Sequence, residues 1–148
     1  MSTPCPGAVS GAPRIWLRLE GLAVLALAVL LYQRGGHSWL LLGALFLAPD
    51  LSFLAYLAGP RAGALGYNLA HSYVGPAIAA GVAVSTGRPA VIALIWAAHI
   101  GFDRALGYGL KYPTDFADTH LGRLRAGRTR EPGPPPSSSS PPPPSPRG

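Results

Sequence analysis

The chain has 148 residues, 49% hydrophobic and only 12% charged, with a net charge of +6 and a mean hydropathy of +0.27. Soluble domains carry roughly 25% charged residues, so an ordinary water-soluble globule is disfavoured from the start. The positive charge does not point to nucleic acid, because the basic residues sit at the ends of apolar runs and after Leu110, where a membrane protein displays its orientation.

Residues 1–13 form a Pro/Gly/Ser-rich leader with the composition of a disordered segment. It contains the single cysteine, Cys5, so neither an intrachain disulfide nor a thiolate metal site is available. It lacks the basic, then apolar, then small-residue order of a cleaved signal, so the first apolar run is expected to be retained. That run, 15–32, is about as long as a membrane span requires. Its stretch 21–31 has no polar residue, so it lacks the polar face of a helix in a soluble bundle.

A short turn at 33–37 leads to the second run, 39–58, which Pro49-Asp50 interrupts. Turns at 59–63 and 86–89 bound the third run, 65–84, and the fourth occupies 90–110. Such short turns make sequential helices antiparallel neighbours. The expected fold is therefore all-α, an integral membrane four-helix bundle over 14–110. A basic extension, 111–130, and a Pro/Ser-rich tail, 131–148, follow; the tail has no composition for a core.

With an even number of spans, Arg14, Arg18, Arg61, Lys111, Arg123, Arg125, Arg128 and Arg130 fall on one side, and only Arg34 and Arg88 on the other. The positive-inside rule makes the first side cytoplasmic, with both termini there. Trp16, Tyr32, Trp39, Tyr108 and Tyr112 lie near span ends, where aromatic belts belong. The lipid bilayer is thus the first partner expected.

Glu20, Asp50, His71, His99 and Asp103 lie inside these apolar runs. An ionisable group in a bilayer costs at least about 2.5–3.5 kcal/mol, so each marks a candidate site. Measured from the cytoplasmic ends at about 1.5 Å per residue, Glu20 lies roughly 8 Å deep, His71 and Asp103 roughly 9 Å, Asp50 roughly 12 Å and His99 roughly 15 Å.

His99 and Asp103 are spaced i, i+4 and project from one helix face, as do Asn68 and His71 at i, i+3. Two His and two Asp from three helices suit a divalent ion such as Zn²⁺ or Mn²⁺, with Asp50, His71, His99 and Asp103 as ligands. Glu20 would then be a further ligand or the catalytic base for a water on the ion. Ser72, beside His71, belongs to the same polar neighbourhood. Asp118 and His120 lie just beyond the fourth run. That segment either folds back as a lid and adds them to the site, or stays a solvated amphipathic stub.

Three uses of the cluster stay open: a metal or catalytic site, a structural polar network, and a proton or substrate path. The outer half of the bundle is nearly devoid of polar groups, which counts against a channel or pump built by one copy; a homo-oligomer would change that. The chain has no nucleophile elbow, no HExxH, no P-loop and no dinucleotide fingerprint.

The runs RLEG (18–21), LAPDLSFLAYLAGPRAGALGYNLAHSY (47–73) and AHIGFDRALGYGLKYPTDFADTHLG (98–122) resemble the domain of unknown function 4260 family. The resemblance covers roughly residues 14–124 and implies a small four-helix protein of the bacterial inner membrane, with no activity attached. A looser similarity is to membrane-bound metal-dependent hydrolases, with Pro49-Asp50, His71-Ser72 and His99 with Asp103 as counterparts. It implies metal-dependent hydrolysis of a membrane-proximal substrate. The chain departs from that pattern in having a single acid after Pro49 and no second upstream His.

Overall fold

Pro13 stands in the first turn of α1 (Ala12–Arg34), where a missing backbone donor is no loss because helix-terminal N–H groups have no partner. The computed structural model to which this helix belongs describes residues 7–114 and 116–123. The disorder expected for 1–6 (Cys5 included) and for the tail 131–148, like the basic stretch 124–130, lies outside the described residues. Residues 7–13 are tied down, contrary to a disordered leader: Val9 N–H donates to His120 O at 2.8 Å and the Tyr112 hydroxyl to Gly7 O at 3.0 Å.

The second apolar run divides where its sequence breaks. α2 (Trp39–Phe46) stops because Pro49 has no N–H for the Leu45 carbonyl. The chain continues as a 3-10 helix (Ala48–Ala58), far longer than the usual run of three or four residues. The sequence explains this length. From Asp50 it reads in triplets, Asp-Leu-Ser, Phe-Leu-Ala, Tyr-Leu-Ala, and three residues per turn put each triplet position on its own face. Leu51, Leu54 and Leu57 form an outer ridge, 67%, 63% and 87% exposed. Asp50, Phe53 and Tyr56 form a second face, and the small residues Ser52, Ala55 and Ala58 a third.

The third run was expected as one helix over 65–84 but is two, α3 (Pro60–Ala70) and α4 (Val74–Ser85). Pro76 cannot donate to the Ser72 carbonyl, and the chain turns at 71–73 instead. The expected turn at 59–63 is mostly the start of α3, with Gly59 at φ +106 before Pro60. The fourth run ends earlier than expected: α5 (Val91–Leu106) is closed by Gly107 in the left-handed conformation.

The chain is mostly helical, as expected. Among the described residues two stretches are long and apolar enough to cross a membrane, Ala12–Arg34 and Trp39–Ala58, against the four anticipated. The principal packing is α1 along α5 and α3 against the 3-10 helix. α1 and α5 approach backbone to backbone: a Cβ placed on Gly101 would stand 2.7 Å from both Gly21 O and Leu25 N. Beyond α5, β1 (Asp118–Thr119) and β2 (Gly122–Arg123) form a small antiparallel hairpin, bridged to Lys111 through Thr119.

Candidate metal centre

The break after α2 sets Asp50 in the first turn of the 3-10 helix, and the break after α3 sets His71 at that helix's C-cap. His99 and Asp103 come from one face of α5, a turn apart. These four offer ligand atoms that all lie within 4.8 Å of one another. His71 Nε2 is 3.1 Å from His99 Nε2, 3.3 Å from Asp50 Oδ1 and 3.6 Å from Asp103 Oδ2. His99 Nε2 is 3.5 Å from Asp50 Oδ1 and 3.8 Å from Asp103 Oδ2. A tetrahedral ion with bonds of about 2.0–2.1 Å requires ligand–ligand edges of about 3.3–3.4 Å, close to the middle of these five distances; the sixth edge, between the two carboxylates, lies within 4.8 Å.

The proton inventory points the same way. His71 Nδ1 lies 3.0 Å from the Tyr67 carbonyl oxygen, which only accepts, so Nδ1 carries a proton and, in the neutral ring, Nε2 presents a lone pair. That lone pair faces two carboxylate oxygens and a second imidazole nitrogen. Acceptors facing acceptors repel unless a cation or shared protons sit among them. Burial sharpens the requirement: the His71 and His99 side chains are 1% and 2% exposed, whereas Asp50, at 34%, opens one edge to the outside. A buried Asp/His group of this kind could hold a metal ion.

Tyr67 supports the site three ways, and no sequence reading singled it out. Its carbonyl fixes the His71 tautomer, its ring stacks on the His71 ring at 3.8 Å, and its hydroxyl donates to Asp103 Oδ2 at 3.3 Å. Outer partners of this kind orient metal-binding histidines and carboxylates. The only sequence signal was its position, one helical turn before His71. Phe46 sits edge-on to His99 at 5.3 Å and Phe53 lies 6.4 Å from His71, so aromatic rings wall the group. Arg104 does not turn to Asp103; its guanidinium donates to His71 O at 3.0 Å and Tyr108 O at 2.9 Å.

The other expected members lie elsewhere. Glu20 is exposed on α1 and outside the four-residue group. Its neighbour Gly21 packs against α5, so Glu20 points about 100° around the helix. Asn68 clasps the chain after α5, accepting from Lys111 N at 2.7 Å and donating to Lys111 O at 2.9 Å. Ser72 Oγ makes a 3.5 Å contact with Leu69 O.

The segment after α5 does fold back, with Thr119 and Leu121 fully buried. Yet it brings neither Asp118 nor His120 to the four ligand atoms. Asp118 Oδ2 accepts from the Thr114 hydroxyl at 3.0 Å, and His120 Nδ1 accepts from Leu110 N at 2.8 Å. Burial, then the nearby Arg104 guanidinium, holds the His120 imidazole below its ordinary pKa. What the segment delivers is Phe116, with ring centroids 5.6 Å from Phe53 and 5.3 Å from Tyr56. Lys111 Nζ sits 3.9 Å from the Phe116 ring and donates to Phe116 O at 2.8 Å.

Residues 14–124 match the family described as Domain of unknown function (DUF4260). No curated protein and no solved structure matches the chain.

Proposed function

We infer a function from the site itself for this chain, which belongs to the DUF4260 family: a membrane protein that holds a divalent cation on Asp50, His71, His99 and Asp103 and uses it to hydrolyse a membrane-proximal substrate. The observation that carries the reading is His71 Nε2, 3.3 Å from Asp50 Oδ1 and 3.6 Å from Asp103 Oδ2, on a ring whose Nδ1 faces the Tyr67 carbonyl oxygen. The mixed nitrogen and oxygen donors favour Zn²⁺, with Mn²⁺ next. Such an ion, when bound, polarises a carbonyl or phosphoryl oxygen and lowers the pKa of a coordinated water.

Within this reading His71, His99 and Asp103 hold the floor of the site. Asp50, the exposed member, stands where water and substrate would enter. Glu20 has no step.

The bilayer placement is supported by the outward Leu51, Leu54 and Leu57 ridge and by two stretches of spanning length. Arg14 and Arg18 gather beside Gly107 and Gly122, at the end of α5 from which the hairpin leaves. The positive-inside rule assigns that end to the cytoplasm. A second reading rests on the 3.1 Å contact between the two histidine nitrogens: shared protons would make the same four groups a structural or proton-handling network.

Metal content separates the two readings. Elemental mass spectrometry of detergent-purified protein should find close to one zinc or manganese per chain. Asp50→Ala, His71→Ala and Asp103→Ala should each lose it. Well-folded wild type that takes up no divalent ion would leave only the proton network.

A further inference from the structure

Beside the four ligand residues lies an apolar pocket of about 380 Å³ that takes no part in holding a cation. Its walls come from α2, the 3-10 helix, the end of α3 and α5, and include Leu45, Ala48, Pro49, Ala70, Ile95 and Trp96. We propose that this pocket binds the hydrocarbon chain of a single-chain amphiphile, whose ester or hydroxyl group meets Ser52 and whose head reaches the Asp50 edge of the cluster. Only the placement of the head rests on the metal-centre reading.

Three observations carry it. The pocket and the cluster share their walls: Pro49 and Ala70 directly precede Asp50 and His71, and Ile95 lies one turn before His99. A molecule in the pocket is therefore held against the residues that hold the cluster. Second, the lining contains one hydroxyl without a partner. Ser52 Oγ is buried and makes no hydrogen bond among the described residues. A buried hydroxyl normally has a partner, and here an otherwise apolar wall offers none. The Trp96 indole is already committed, donating to Ala70 O at 2.6 Å, so it presents carbon to the cavity.

Third, the surroundings are apolar. Leu47 and Leu51, which adjoin lining residues in sequence, and Ile92, which itself lines the pocket, are 62%, 67% and 55% exposed. A chain arriving from hydrocarbon meets no polar barrier, whereas a polar solute would leave water for carbon walls. Specific pockets for small molecules have this composition, apolar walls with a few placed polar groups, and a volume in this range.

Native mass spectrometry of the full chain in detergent tests this, with monolauroylglycerol as the probe and zinc present or absent. Wild type should show a saturable adduct of one lipid per chain. Ala48→Phe fills the pocket from its exposed side and should weaken the adduct at least tenfold, with helix content and zinc content unchanged. Ser52→Ala should weaken it severalfold. Equal binding by wild type and Ala48→Phe, or only a non-saturating ladder of adducts, overturns the pocket. An adduct in protein that takes up no metal upholds the pocket while sinking the metal centre; zinc without an adduct does the reverse.

Discussion

The Tyr67 and His71 rings stack with centroids 3.8 Å apart and planes 12° from parallel, while the Tyr67 carbonyl holds the His71 Nδ1 proton. One residue thus sets the position, tilt and tautomer of its neighbour one turn on. Because the hydroxyl also reaches Asp103, Tyr67→Phe removes one support and leaves two. The variant should fold normally and bind zinc about tenfold more weakly, the lower end of the range for lost outer partners of metal ligands. Competition against a chromogenic chelator measures this; an unchanged affinity would detach the hydroxyl from the site.

His120 should make the hairpin acid-sensitive. Its folded pKa lies below the unfolded value of about 6.5, because burial and Arg104 disfavour the charged ring. Between the two values the unfolded segment binds more protons, so docking is fully stable above about pH 6.5 and weakens as pH falls through the folded value. Hydrogen exchange at the Leu110 amide, which donates to His120 Nδ1, should lose protection as pH falls below about 6.5, after correction for intrinsic rates. In His120→Ala the profile should be flat.

The α1–α5 crossing should reject a single methyl group. Gly101→Ala drives a Cβ onto Gly21 O and Leu25 N, both backbone atoms that cannot swing aside. The loss should be about 1–3 kcal/mol, as for other overpacked contacts. Gly81→Ala, in α4 with nothing among the described residues within 4 Å of its added Cβ, should instead gain up to about 1 kcal/mol from helix propensity. Unfolding titrations in detergent should place the two variants on opposite sides of wild type.

Asn68→Ala should release the chain after α5. It deletes two hydrogen bonds to the Lys111 backbone and leaves that N–H and C=O to find new partners, at about 1–3 kcal/mol for a buried group. Lys111 is 5% exposed and therefore shielded from trypsin. A fragment ending at Lys111 should appear early in digests of the variant and late in wild type. Equal rates would mean that the hairpin holds without the clasp.

Height was legible in the sequence and azimuth was not. Counting residues from helix ends put Asp50, His71, His99 and Asp103 within a few ångströms of one level, and the structure brings these four together. The same count included Glu20, which shares the level but faces outward, because depth says nothing about which way around a helix a side chain points. Azimuth needed the packing partner, and Gly21 was the available sign: the one glycine within the helix marks where another backbone comes close.

Hydropathy alone also merged elements. The run 65–84 reads as one span because an average over a window cannot register the missing donor at Pro76. In the sequence Tyr67 reads as one more aromatic in an apolar stretch, whereas two of its three roles run through its backbone oxygen and its ring face.

The triplet reading of the 3-10 helix limits how this segment can change in length. At three residues per turn, removing one residue rotates everything after it by about 120°. A deletion between Asp50 and Phe53 would turn Leu54 and Leu57 toward α3 and carry Phe53 and Tyr56 off the face that meets Tyr67 and Phe116. Removing three residues would shorten the helix by a turn and keep every face in place. Length variation here is therefore expected in whole triplets, a reading frame written in side chains.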